Sequence, residues 1–167
     1  MVTGERLWVK ISPITKQPIT PSPIMRRYIE IPIHILDIEG DGFHIMIQGR
    51  INGKEANFLV DTGASRSVFD PTNITNFIDN PQFEKKEGIT AGVGGNDLES
   101  ATFDIETLSL GDLEIQHYNA VALDLENIHE SYEKVHLPKI NGIIGGDLLV
   151  KHKAVINYRQ KRIKFTP

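Results

Sequence analysis

Residues 58–65 of the chain read Phe58-Leu59-Val60-Asp61-Thr62-Gly63-Ala64-Ser65. The three apolar residues that open this stretch predict a buried β-strand. The glycine predicts a tight turn with an unusual backbone conformation just after the aspartate. We therefore expect the Asp61 carboxylate at the end of a rigid strand, against the apolar interior. Burial makes ionisation of a carboxyl group costly and so shifts its pKa. Carboxyl groups with a shifted pKa are often functional.

Two glycine-rich segments follow later in the chain. Residues 91–96 read Ala-Gly-Val-Gly-Gly-Asn and predict the tip of a β-hairpin with arms at 89–93 and 98–105. Residues 142–149 read Gly-Ile-Ile-Gly-Gly-Asp-Leu-Leu, and this run predicts a helix over 145–153.

The rest of the pattern is typical of short β-strands. Ile29, Ile31, Ile33 and Ile35 recur with the period of two expected for one strand. The dipeptide Asn52-Gly53 is a strong hairpin signal, so Asp61 is expected at the end of the second arm of a hairpin. Further strands are predicted over 43–49, 55–60, 107–112, 115–123, 154–158 and 162–165, and a short surface helix over 127–135.

Taken in order, the three motifs resemble those of the retropepsin-like, single-lobe aspartic proteases of clan AA. The pattern is closer to the bacterial and cellular members than to the viral ones, and the resemblance extends from about residue 43 to residue 165. It implies a mostly β fold: a closed acid-protease β-barrel with one short C-terminal α-helix and a flap hairpin. The implied domains are an extended, proline-rich arm over 1–27 and one protease domain over 28–167.

The resemblance implies an aspartic endopeptidase that hydrolyses peptide bonds. In that chemistry two carboxylates share one proton and activate a water molecule. The Asp-Thr/Ser-Gly pattern occurs once in the chain, at Asp61. The implied dyad therefore needs Asp61 from each of two subunits, and the implied partners are a second copy of the chain and a peptide or protein substrate. No cofactor or metal is needed for this chemistry.

The resemblance also assigns roles to individual residues. Asp61, Thr62 and Gly63 would be catalytic, with Thr62 bonded to the partner's loop and Gly63 giving close approach to substrate. The implied flap would lie over the bound peptide. The implied substrate-binding residues are Ala64, Ser65, Val93, Gly94, Gly95, Asn96, Ile143 and Ile144.

The chain departs from the viral pattern at one pair of positions. Viral enzymes commonly place an acidic residue just after Asp-Thr-Gly-Ala and an arginine just after Ile-Ile-Gly. Here those positions hold Ser65 and Gly146, so both partners are missing and no charge is left unpaired. We interpret Asp147 as a charge that stabilises the N-terminus of the following helix. The segment 123–139 is longer than in the compact viral form and is expected to cap one end of the cleft.

Bulk properties narrow the remaining possibilities. A chain of 167 residues fits one domain, and a net charge of −4 argues against nucleic acid or an anionic membrane as a partner. With no cysteine, disulfides and thiolate chemistry are excluded, and the six histidines show no metal-ligand spacing. Residues 1–23 contain no apolar signal-peptide core and no apolar run is long enough to span a membrane, which favours a cytoplasmic protein.

Two alternatives to the endopeptidase remain open at the level of sequence. The first is a non-catalytic binding or dimerisation module built on the same fold. The second is a latent precursor in which residues 1–27 occupy the cleft until they are removed.

Overall fold

The computed structural model describes residues 28–85 and 101–167. The predicted N-terminal arm and the predicted flap tip at 91–96 lie outside the described residues. The strands are β1 (Ile29–Pro32), β2 (His34–Asp37), β3 (Phe43–Ile51), β4 (Lys54–Val60), β5 (Val68–Phe69), β6 (Glu84–Lys85), β7 (Ala101–Leu110), β8 (Leu113–Ala122), β9 (Gly142–Ile144), β10 (Val155–Asn157) and β11 (Arg162–Phe165). The helices are α1 (Pro71–Ile74), α2 (Glu126–Lys134) and α3 (Gly146–Lys151).

Six of the strands close into a barrel. Their order is β3-β4-β9-β5-β8-β7, and a pairing between β7 and β3 completes the ring. Strand β9 runs parallel to β4 and antiparallel to β5, so the Ile-Ile-Gly segment is a central strand of the barrel. A separate three-stranded sheet joins β1, β11 and β10. The prediction of a mostly β, closed-barrel fold is confirmed.

The β3–β4 hairpin positions the predicted aspartate. Asn52 and Gly53 at its tip have φ angles of 50° and 79°, the two left-handed conformations that a tight Asn-Gly hairpin turn requires. The pairing continues to Ile45 opposite Val60, the last residue of β4. Asp61 therefore follows the last paired residue of the second arm, as the sequence predicted.

The isoleucine alternation near residue 30 does not form one strand. Strand β1 pairs with β11, whereas β2 pairs with β3 in the barrel sheet. Pro32 ends the first ladder because it has no N–H group to donate. Ile33 then lies between the two strands, buried, with its amide bonded to the Lys161 carbonyl at 3.1 Å.

The predicted strands over 98–105 and 107–112 also differ from the structure. They form the single strand β7, which pairs with β8 along its length. The ladder is irregular only at Glu106 and His117, where His117 has a φ of 50°. The polar residues Asp104 and Glu106 are on the exposed side of this one long strand.

Two apolar clusters cover opposite faces of the strands around Asp61. The first, the barrel core, contains Phe58, Phe69 and Ile144 and fills the barrel. The second cluster is formed by the buried residues Leu59, Val68, Val121, Leu125, Tyr132, Ile140 and Ile143. Because neighbouring residues of a strand point to opposite faces, each of these strands contributes to both clusters. The apolar triplet before Asp61 is therefore buried on both of its faces.

Within residues 28–85 and 101–167, no helix is long and apolar enough to cross a membrane.

Gly49 is expected to be essential for barrel closure. An added Cβ at this position would lie 2.4 Å from the Ser109 carbonyl oxygen and 2.8 Å from the Phe58 ring. We expect Gly49→Ala to lower the free energy of unfolding by about 3 kcal/mol, at the upper end of overpacking costs, because backbone must move. Urea unfolding would measure this change. Gln48→Ala, at an exposed neighbouring position, should change stability by less than about 0.5 kcal/mol, and equal losses in the two variants would contradict the prediction.

Candidate active site

Asp61 lies where two parallel strands of the barrel end side by side. Val60 is paired with Ile144, and the Asp61 amide donates to the Ile144 carbonyl at 3.0 Å. The backbone of the aspartate is thereby fixed to β9. Its side chain is exposed, so the expectation that it is buried against the apolar interior is wrong for the single chain. The apolar neighbours on β4 point into the two clusters, whereas Asp61 lies just past the strand end, in the turn that follows.

The turn after Asp61 folds back onto its carboxylate. The Gly63 amide donates to Asp61 Oδ1 at 2.8 Å, and the Ala64 amide donates to the Asp61 carbonyl at 3.3 Å. Gly63 does not have a left-handed φ, so the predicted unusual backbone is also wrong. A glycine suits this position for lack of space, since an added Cβ would lie only 3.2 Å from Asp61 Oδ1.

The loop over 61–67 rests on the start of α3. The Gly146 amide donates to the Ala64 carbonyl at 2.7 Å, and the Asp147 amide donates to the Ser65 carbonyl at 3.1 Å. A Cβ on Gly145 would lie 2.5 Å from the Arg66 carbonyl oxygen. Gly145 is therefore required by the close approach of two backbones.

Asp147 does more than place a charge at the start of a helix. Its Oδ1 accepts from the Ser67 amide at 2.9 Å and from Ser67 Oγ at 2.7 Å, and its Oδ2 accepts from the Tyr118 hydroxyl at 2.6 Å. Ser67, which is fully buried, also accepts from the Gly145 amide at 2.9 Å. This carboxylate therefore joins the loop over 61–67, β8 and α3. Sequence reasoning missed the role because Ser67 and Asp147 are 80 residues apart.

An ion pair stands close to the position where the viral pair is missing. Arg66 Nε lies 3.5 Å from Asp147 Oδ2, so each charge is one residue later than in the viral pattern and the two signs are exchanged. The Arg66 side chain is 41% exposed. A pair this exposed contributes little to stability, so the hydrogen bonds to Asp147 are the stronger link.

The Tyr118 hydroxyl is held in its protonated form. Burial, followed by the hydrogen bond to Asp147, raises the pKa of Tyr118 well above its usual value of 10.0. A phenolate here is unfavourable because it would lose its hydration and would place a negative charge beside the Asp147 carboxylate. Tyr118 therefore acts as a permanent hydrogen-bond donor beneath the loop.

The structure separates the predicted site residues into three groups. Thr62 and Ser65 are exposed beside Asp61, and Ala64 is partly buried. Ile143 belongs to the second cluster and Ile144 to the barrel core, so the two isoleucines face opposite sides of β9. The predicted flap residues Val93, Gly94, Gly95 and Asn96 lie outside the described residues. The strands β6 and β7, on either side of residues 86–100, are antiparallel partners.

Sequence reasoning also missed a contact between β3 and α2. Tyr132 Oη lies 2.6 Å from His44 Nδ1, and the two rings are 5.8 Å apart between centroids. His44 comes one residue before Ile45, which is paired with Val60, so it lies at the same end of the hairpin as Asp61. Counting the hairpin register from Asn52-Gly53 could have placed His44 there. No local signal pointed to Tyr132, which is 88 residues away.

Comparisons with known proteins agree with this fold. The family model described as aspartyl protease matches residues 47–148. A retropepsin-like aspartic protease from Rickettsia conorii is 17% identical over 83% of this chain and 89% of its own, with a TM-score of 0.52, which shows a shared fold. The search of curated proteins gives no match.

Two further solved structures are similar at lower scores. The EIAV protease in complex with the inhibitor HBY-793 is 21% identical, with 83% of this chain and 99% of that chain covered and a TM-score of 0.47. The retroviral protease-like domain of Ddi1 from Leishmania major is 17% identical, with 74% and 94% covered and a TM-score of 0.43.

The raised pKa of Tyr118 predicts a loss of stability in alkaline solution. Unfolding frees this phenol to ionise above pH 10.0 while the folded state keeps it protonated, so the unfolded state is favoured increasingly as pH rises past that value. Tyr118→Phe should therefore show a shallower fall in the free energy of unfolding above pH 10. Urea unfolding at pH 8 to 11 would measure the slopes. The exposed Tyr158→Phe serves as the control, and equal slopes in the parent and Tyr118→Phe would contradict the prediction.

Proposed function

This chain belongs to the aspartyl protease family, and on that premise we propose that it is an endopeptidase active as a homodimer, with Asp61 of each subunit in the dyad. The observation that carries the proposal is the placement of Asp61. Its backbone is fixed to β9, its carboxylate accepts from the Gly63 amide, and its side chain is exposed. A carboxylate whose backbone is fixed and whose side chain is uncovered is suited to chemistry shared with a second group.

The proposed reaction is general acid–base hydrolysis of a peptide bond. One Asp61 takes a proton from a water molecule, and the other gives its proton to the carbonyl oxygen of the substrate. Thr62 bonds to the loop of the other subunit, and Gly63 leaves room for the substrate backbone. The hydrogen bonds of the loop to Gly146 and Asp147 hold the carboxylate in place, so little reorganisation is needed during the reaction.

The substrate is a peptide or protein, in keeping with the family. Ala64, Ser65 and Ile143 are proposed to contact its side chains, and Val93–Asn96 to cover it as a flap. The proposed dyad uses only carboxylates and water, so the mechanism includes no cofactor or metal.

An exposed apolar surface supports docking of a second copy. Val150 on α3, Val155 on β10 and Tyr158 after β10 are 78%, 54% and 60% exposed. Strand β10 is also at the edge of its sheet among the described strands, and such an edge can pair with another strand. Helix α3 starts against the catalytic loop and, with six residues, is about 9 Å long. Val150 on this helix is therefore no farther from the loop than the length of the helix.

The central test of this proposal is the Asp61→Asn variant. Removal of the carboxylate should lower the rate of peptide cleavage by at least about 10²-fold, the lower range for general acid–base catalysis. Cleavage of a peptide library followed by mass spectrometry would measure the effect. Asp112→Asn changes an exposed aspartate in the turn between β7 and β8 and is expected to leave activity unchanged. If the Asp61 variant cleaves as fast as the parent, the proposal fails; a parent that binds peptides without cleaving them indicates the non-catalytic module.

Dimerisation can be tested separately at the β10 surface. Val155→Lys places a charge on an exposed apolar edge strand, so we expect a monomer that is folded and inactive. Light scattering across protein concentration would give the mass, expected near twice 18.7 kDa for the parent. Gln48→Lys adds the same charge to an exposed position of β3 and should remain dimeric. A Val155→Lys variant that stays dimeric would show that the copies associate through another surface.

A further inference from the structure

The strands that end at the catalytic loop carry a second apolar face outside the barrel. Leu59, Val68, Val121 and Ile143, from β4, β5, β8 and β9, are between 0% and 8% exposed on this face. Their neighbours in sequence, such as Phe58 and Ile144, fill the barrel core instead. Apolar side chains on the outer face need a cover of their own, because the barrel interior cannot bury them.

This second face reaches the catalytic loop. Leu59 is paired with Ile143 and lies two residues before Asp61. Ala64, within the loop, packs against the same cluster. A peptide bound across Asp61 would therefore place at least one side chain toward this face, a step that depends on the endopeptidase function proposed above.

Most of the cover of this face comes from one continuous segment, residues 123–140, and Leu36 of β2 also packs against it. Leu125, Tyr132 and Ile140 are 1%, 4% and 0% exposed within the second cluster, and Leu123, Ile128 and Leu137 are partly buried against it. The segment contains α2 and returns to the barrel at β9.

Hydrogen bonds to the barrel hold this segment in place. The Leu125 amide donates to Oδ2 of the buried Asp70 at 3.1 Å. At the other end of the segment, Asn57 Nδ2 on β4 donates to the Lys139 carbonyl at 3.2 Å, and within the segment His129 Nε2 lies 2.9 Å from the Ile140 carbonyl oxygen. The segment is therefore a fixed wall, with both of its ends tied down.

Tyr132 is the residue of the wall that lies at the catalytic end. Its hydroxyl lies 2.6 Å from His44 Nδ1, and His44 is at the end of the β3–β4 hairpin from which Asp61 emerges. The aromatic ring is almost wholly buried among Leu59, Ile143 and their neighbours. Burial raises the pKa of Tyr132 to about 12, so the hydroxyl stays protonated at any pH used to assay the protein.

We propose that Tyr132 is a specificity-determining residue whose ring limits the size of the side chain accepted beside Asp61. Its ring fills the space between the second face and α2 that a large substrate side chain would otherwise enter. The subsite is then apolar but shallow. Substrates with valine or leucine at the position next to the scissile bond are favoured over substrates with phenylalanine or tryptophan.

The test measures preference rather than rate. Peptides that carry Val, Leu, Phe or Trp in turn at each position flanking the scissile bond are given to the parent, Tyr132→Ala and Tyr132→Phe. In Tyr132→Ala we expect the ratio of kcat/KM for Phe over Val to rise at least about tenfold at one position, the scale on which pocket size discriminates. Tyr132→Phe keeps the ring and should keep the parent's preference. Tyr28→Ala removes a half-exposed ring outside the second cluster and should also leave the ratio unchanged.

A binding readout separates this inference from the proposed function. Statine-type peptides with the same side-chain series are competed against a fluorescent peptide, and their affinities need no turnover. If the parent binds but does not cleave, the endopeptidase proposal fails, and the ratio of affinities for the Phe and Val peptides still tests the role of Tyr132. If the parent neither binds nor cleaves, both fail. An unchanged ratio in folded Tyr132→Ala overturns the inference alone. Should Tyr132→Ala not fold by near-ultraviolet circular dichroism, Tyr132→Leu, which keeps an apolar side chain but opens the ring's space, decides by the same ratio.

Discussion

The hydrogen bonds between the loop after β4 and the segment formed by the end of β9 and the start of α3 are the constraint on which the site depends. They join the Asp61 amide to Ile144, Ala64 to Gly146, and Ser67 to Asp147. Each bond links parts of the chain about 80 residues apart, so the loop cannot shift without moving β9 and α3. The backbone of Asp61 is therefore held in place, and preorganisation of this kind favours electrostatic catalysis.

The glycines in this region follow from the same contact. Two backbones approach so closely that a Cβ on Gly145 would lie 2.5 Å from a carbonyl oxygen of the loop. The carboxylate of Asp147 then satisfies Ser67 and Tyr118 at once. An ion pair from Arg66 adds to this network at the surface. The chain thus lacks the viral charge pair but places another between the same two segments, with the signs exchanged.

The two-faced burial of the strands around Asp61 explains the shape of the rest of the site. Phe58 and Ile144 fill the barrel, whereas Leu59 and Ile143 need cover on the other side. Residues 123–140 give that cover and bring Tyr132 to His44, at the end of the hairpin from which Asp61 emerges. The same segment that stabilises the sheet therefore forms a wall beside the exposed aspartate.

Local patterns in the sequence determined much of this protein. The apolar triplet before Asp61, the Asn52-Gly53 turn and the helix after Gly145 each depend on neighbours within a few residues, and the structure contains all three. The strand ends were predicted less well. The isoleucine-rich segment divides into two strands at Pro32, and two predicted strands join in β7, because strand ends are decided by partners in the sheet.

Only the tertiary structure decided the surroundings of the aspartate. The exposure of Asp61, the bonds of Asp147 to Ser67 and Tyr118, and the contact of Tyr132 with His44 join residues far apart in the chain. No periodicity or spacing encodes such pairs, since they form when separate segments pack together. The sequence by itself determined the strand, the turn and the aspartate between them; the packing of β9, α2 and α3 determined what surrounds that aspartate, because contacts between distant segments exist only in the folded chain.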